Sequence, residues 1–156
     1  GRSMLRDTVM KYYLENDYNC AESLLRGANE YYGLGLDEKA LLAIGGFGAG
    51  CYAGRLCGAC AGSVAAVSSK YIHTRAHAEE LARSRVEAFM KAFAETLGSD
   101  LCAELKERYW DETLDKGRCR KTVGLAADVL ERQMDRYRAE DEKSAETAER
   151  ADVPQK

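Results

Sequence analysis

A chain of 156 residues, 46% hydrophobic and 31% charged with a single proline, has the length and balance of one folded helical domain rather than of a disordered or fibrous protein. Its formal net charge of −3 argues against a nucleic-acid partner, because such partners are held by clustered Lys and Arg. No run approaches the roughly twenty apolar residues that span a bilayer, which argues against membrane insertion.

In chain order, Gly1-Arg2-Ser3 reads as an expression scar ahead of Met4. With Met4 as the start and no signal-peptide pattern after it, the expected location is the cytoplasm. A first helix is expected from Met4 to Glu15, with Leu5, Val9 and Tyr12 on one face, and Asn16-Asp17-Tyr18 breaks it. Asn19 with Glu22 three residues on forms a capping box for a second helix, which buries Ala21, Leu24, Leu25, Ala28 and Tyr32 and stops at Gly33 and Gly35. Asp37 caps a short third helix through Ala40, Leu41 and Ile44.

The five glycines of the stretch from Gly45 to Gly54 predict an irregular loop with positive φ or close backbone approach. A fourth helix follows from about Leu56 to Tyr71; its small residues, Gly58, Ala59, Cys60, Ala61, Gly62 and Ser63, put it at the centre of the fold. Thr74 is expected to cap a long fifth helix to Leu97, with Ala82, Val86, Phe89, Phe93 and Leu97 inward and Gly98 as C-terminal stop. Ser99 is expected to cap a sixth helix to about Trp110. A seventh begins near Arg118, with a stripe of Val123, Ala126, Ala127, Leu130, Met134 and Tyr137. The reading is an all-α, single-domain bundle of six to seven helices over residues 4–138, followed from residue 139 to 156 by a charged helix extension or tail.

Six cysteines without an export signal point to redox or metal chemistry rather than to structural disulfides. Cys20, Cys57, Cys102 and Cys119 each fall at the start of a predicted helix. There the unpaired N–H groups and the macrodipole favour a thiolate, which is both nucleophile and metal ligand, so lowered thiol pKa values are expected. Each also heads an apolar stripe, so the sulfurs should point inward. Alternating helices bring three of them to one end, and Cys119 joins them if the short sixth helix crosses rather than reverses. Arg55 stands near Cys57 to favour its anion, and Cys57-Gly58-Ala59-Cys60 is a Cys-x-x-Cys pair.

Asn19-Cys20-Ala21, the loop Gly46-Phe47-Gly48-Ala49-Gly50, Cys57-Gly58-Ala59-Cys60-Ala61-Gly62, Leu97-Gly98-Ser99-Asp100-Leu101-Cys102 and Gly117-Arg118-Cys119 together resemble the C-GCAxxG-C-C family, named for its four cysteines. The likeness runs from Asp17 to Leu130. It implies a helical fold of this size and a redox role carried by Cys20, Cys57, Cys102 and Cys119. Cys51 and Cys60 match no cysteine of that pattern; either could resolve an intermediate or act as an alternative ligand.

Three functions compete. In dithiol–disulfide exchange Cys57 attacks a redox partner protein or a small thiol or disulfide, and Cys60 resolves. Cys119, flanked by Arg118 and Arg120, is the second candidate attacker. Alternatively Cys20, Cys57, Cys102 and Cys119 ligate an iron–sulfur cluster, with zinc a weaker variant. The third is a helical interaction module with inert thiols; a homo-oligomer is compatible with each. His73 and His77 read as surface residues, and the glycine loop lacks the strand and Gly-Lys-Ser/Thr of a nucleotide site.

Overall fold

A computed structural model describes residues 3–151. Gly1 and Arg2 of the expected scar, and residues 152–156 of the charged tail, lie outside the described residues. Helix α1 (Leu5–Met10) widens into a π-type turn over Lys11–Glu15, and buries Leu5, Val9 and Tyr13. Tyr13 therefore takes the inward place expected of Tyr12, whose hydroxyl donates instead to Glu30 at the surface.

Helix α2 (Cys20–Tyr32) starts on the expected capping box. The Asn19 side chain accepts the Glu22 N–H at 2.9 Å and the Glu22 carboxylate accepts the Asn19 N–H at 3.0 Å. Gly33 ends it in the left-handed conformation, φ 62°. Asp37 caps α3 (Glu38–Leu42) by accepting the Ala40 N–H at 2.9 Å. Helices α4 (Gly58–Tyr71), α5 (Glu80–Leu97), α6 (Cys102–Tyr109) and α7 (Arg120–Ala151) complete an all-α bundle of seven helices, with no strand among the described residues.

Two expected caps are displaced. The Glu79 carboxylate accepts the N–H groups of His73 and Thr74, so the chain turns there and α5 begins at Glu80 rather than after Thr74. Ser99 accepts the Leu101 N–H at 3.1 Å and donates to Glu104, which fixes the approach to α6 while Leu101 occupies the capping position.

The small residues of α4 act as anticipated. A side chain on Gly62 would stand 2.5 Å from the Ala21 carbonyl oxygen, so α4 and α2 pack backbone to backbone at the centre. Around this pair α1, α5 and α7 close one core, with Leu5, Val9, Leu24, Phe89, Phe93, Leu97, Val123 and Leu130 removed from solvent. Burying side chains of this size stabilises the fold by roughly 1.5–3 kcal/mol each. Beyond residue 139, α7 remains helical to Ala151, and Asp141 there accepts from buried Arg85 of α5 at 2.7 Å. No described helix is long and apolar enough to cross a membrane.

Candidate thiol site

The cysteines stand at helix starts because the local sequence stops the chain there. Cys20 is the first residue of α2, Cys57 is the capping position of α4, Cys102 opens α6 and Cys119 immediately precedes α7. Helix starts distant in sequence meet through a short antiparallel bridge, Leu56 to Leu101. The Cys57 N–H donates to the Asp100 carbonyl at 2.7 Å and the Cys102 N–H to the Arg55 carbonyl at 2.6 Å, so the starts of α4 and α6 are clamped side by side. Cys119 returns to them because α6 has only eight residues, about 12 Å of rise, before the chain doubles back over residues 111–117. That turn is closed by the Asp111 N–H to the Gly117 carbonyl at 3.0 Å, and Lys116 ties it to α1 through the Tyr13 carbonyl at 2.8 Å.

As a result Cys20, Cys57, Cys102 and Cys119 line one narrow pocket together with Gly58, Lys106 and Thr122. Above it lies a cleft of about 140 Å³ bordered by Tyr13, Asn19, Cys20, Ala49, Tyr52, Cys102, Lys106, Arg118 and Cys119. Cys20, Cys57 and Cys102 are buried, whereas Cys119 is half-buried at the cleft. Gly58 supplies room for sulfur: a Cβ there would stand 2.5 Å from Cys20 Sγ. Gly50 gives the same freedom beside Cys102, whose Cβ would lie 2.6 Å from an added methyl. A side chain on Gly48 would collide with the Asn19 amide, whereas one on Gly46 meets nothing within 4 Å.

The roof of the site is strained. Ala49, Gly50, Cys51 and Tyr52 all have positive φ, 50°, 63°, 60° and 54°, a left-handed turn that costs roughly 1–2 kcal/mol at each non-glycine residue. It is held from below by Asn19, whose amide donates to the Gly45 carbonyl at 3.0 Å and to the Tyr52 hydroxyl at 3.2 Å.

The other candidates are placed elsewhere. Cys60 is 0% exposed and faces α5, its thiol 3.4 Å from the Met90 sulfur, and it lines neither the pocket nor the cleft. Cys51 is exposed on the left-handed turn. The Arg55 side chain is exposed and lines neither space; its backbone carbonyl is what serves the site.

For Cys20, Cys57 and Cys119 the expected lowering of the thiol pKa is reversed. Burial pushes Cys57 up to about 12, against which the backbone N–H groups of Cys60 and Ala59 at the helix start pull it down. Burial also raises Cys20, opposed by the N–H groups of Ala49 and Ala21, and raises Cys60. Cys119 is pushed up to about 11, first by burial and then by Cys20 and Cys102, while Lys106 and Arg118 act in the opposite direction. Helix-start amides are present as anticipated, but loss of water outweighs them. Among the described residues no three Cys, His, Asp or Glu side chains are grouped so as to hold one ion.

Sequence reasoning passed over Tyr13, Lys106 and Thr122. Lys106 was detectable, since it lies four residues after Cys102 and so one turn along the same helix face. Thr122 carries the same signal, three residues after Cys119, whereas Tyr13 reaches the site through tertiary packing and carries no local signal.

No curated protein and no solved structure matches this chain. Residues 18–133 match the family described as "putative redox-active protein (C_GCAxxG_C_C)". That span contains all four converging helix starts. The chain is a member of this C_GCAxxG_C_C redox-active family.

Proposed function

We propose that this protein carries out dithiol–disulfide exchange in a reducing compartment, the cytoplasm, with Cys119 as the attacking thiol and Cys20 as the resolving one. The observation that carries the reading is the shared pocket: sulfurs from four separate helix starts line one space, and of the three that also border the cleft Cys119 is the most exposed. This moves the attack from Cys57, which is 4% exposed, to the half-buried thiol beside Lys106 and Arg118. Cys20 lines both the pocket and the cleft together with Cys119, which supports it as the partner.

In the proposed step the Cys119 thiolate attacks one sulfur of a disulfide RSSR, the S–S bond breaks, and one RS⁻ leaves and takes up a proton. Cys20 then loses its proton and attacks the Cys119 sulfur of the mixed disulfide, releasing the second RS⁻, which is protonated in turn. The sum is two protein thiols and RSSR giving one protein disulfide and two RSH. Tyr13 borders the cleft with both sulfurs, and Cys20 is the more deeply buried of the two.

The test uses the Cys51→Ser background, which removes the exposed thiol. Reduced protein treated with bis(2-hydroxyethyl) disulfide is expected to lose two thiols, with Cys119 linked to Cys20 in the peptide map. Cys20→Ser is expected to stop at a mixed disulfide on Cys119, and Cys119→Ser to leave Cys20 unmodified. Undiminished oxidation of Cys119→Ser overturns the reading.

A further inference from the structure

Several cations of this protein are held in ion pairs. Lys11 bonds Glu30 at 2.8 Å, Arg26 bonds Glu38 at 2.7 Å, Arg85 bonds Asp141 at 2.7 Å and Lys121 bonds Asp111 at 3.0 Å. Lys106 and Arg118 are set apart by position: both border the cleft over the thiols, and neither has an ion-pair partner among the described residues. Arg118 is not free to wander, since its guanidinium lies over the Trp110 ring, 5.2 Å from the centroid. Lys106 is placed by α6 one turn beyond Cys102. No carboxylate lines the cleft or the pocket beneath it, and the remaining polar groups there are neutral. The nearby Glu22 is engaged by the Asn19 N–H in the capping box.

Two cations without counter-charge, over sulfur and without an acidic neighbour, make a positive rim in a place where a substrate must pass. The cleft, about 140 Å³, is well below the size of an ordinary ligand pocket, so it admits one arm of a small disulfide and not a protein loop.

We infer that the substrate is a low-molecular-weight disulfide whose arms carry carboxylates, admitted one arm at a time with the carboxylate held by Lys106 and Arg118 and the sulfur directed at Cys119. The inference rests on the dithiol–disulfide reading and narrows it. Chemistry is unchanged: the disulfide is the oxidant, each of its sulfurs leaves as a thiol, and the protein keeps one new S–S bond. Both cations also favour the Cys119 thiolate. That effect speeds reaction with every disulfide equally, whereas charge selection separates one disulfide from another.

The experiment therefore compares three probes of similar size on reduced full-length Cys51→Ser protein: 3,3′-dithiodipropionate (anionic), bis(2-hydroxyethyl) disulfide (neutral) and cystamine (cationic). Rates of thiol loss are expressed relative to the Lys106→Gln/Arg118→Gln double variant, which cancels the intrinsic reactivity of each probe. The anionic probe is expected to gain about tenfold or more over the cationic one, the neutral probe falling between. On the protein with both cations intact, raising ionic strength from about 0.02 to 0.5 M is expected to shrink that ratio, since the Debye length falls from about 20 Å to a few ångströms. Equal relative rates for all three probes, unmoved by salt, overturn the charge selection while leaving the exchange chemistry standing. Failure of all three to oxidise Cys119 overturns the underlying exchange reading instead.

Discussion

Cys119 sits between opposing influences whose balance sets when it can react. Burial, then the neighbouring sulfurs Cys20 and Cys102, keep its proton on; Lys106 and Arg118 draw the proton off, and the balance leaves it at about 11. Only the thiolate attacks, so between pH 7 and 10 the reactive fraction rises about tenfold per unit. Alkylation of Cys119 by iodoacetamide in the Cys51→Ser protein is expected to follow that slope and to bend near pH 11. Lys106→Gln is expected to move the bend upward, because it removes a positive neighbour. A plateau already reached below about pH 8.5 contradicts this balance. The amides around Cys57 and Cys20 were legible as helix starts. Their depth was not, since a helix-start position says nothing of how much protein is folded over it, and that depth reverses the sign of the pKa shift.

Elements transmit this depth to the sulfurs, and Asn19 is where the transmission can be cut. Its side chain oxygen caps α2 at Glu22, and its amide holds the left-handed roof through Gly45 and Tyr52. Asn19→Ala is expected to cost about 1 kcal/mol as a lost cap, read from urea unfolding, and also to speed modification of Cys20 by loosening the turn above it. Asp37→Ala removes a comparable cap on α3, where the Asp37 carboxylate accepts the Ala40 N–H, and serves as the control. It should lower stability by a similar amount and leave Cys20 as slow as before. Equal Cys20 rates in the two variants would separate the roof from the thiol. The contrast between caps also explains what sequence could disclose. Asn19 and Asp37 bond residues three positions on, so their role is written locally. Thr74 and Ser99 have the right chemistry but lose the position, one to the Glu79 carboxylate and the other to the Leu56–Leu101 bridge that presets the approach to α6. A bridge between residues so far apart in the chain has no periodicity to announce it.

For the whole molecule, gathering thiols in a dry pocket couples folding to protonation. Cys57 and Cys119 hold their protons up to about 12 and 11 in the folded chain, above the ordinary thiol value of 9.0, and Cys20 is raised as well. Between 9.0 and those values the unfolded chain releases protons that the folded chain keeps. The stabilisation is therefore complete below the ordinary thiol value and is lost as pH climbs through the raised ones. Each thiol steepens the fall by at most about 1.4 kcal/mol per pH unit. Buried tyrosines add a similar effect, Tyr13 and Tyr32 being raised by burial, but their ordinary value is 10.0, so their contribution begins later. Over the interval from about pH 8.5 to 10 the thiols therefore contribute ahead of the tyrosines. Urea midpoints of the fully reduced protein are expected to drop across it, and the drop should be shallower in Cys57→Ala, which removes a raised thiol while leaving every tyrosine in place. Reading the slope rather than the absolute midpoint keeps the test independent of the cavity that Cys57→Ala opens, since that cost is the same at each pH. A reduced protein equally stable at pH 8.5 and 10 would mean that its sulfurs meet water in the folded state, and the closed pocket beneath the cleft would have to be abandoned with it.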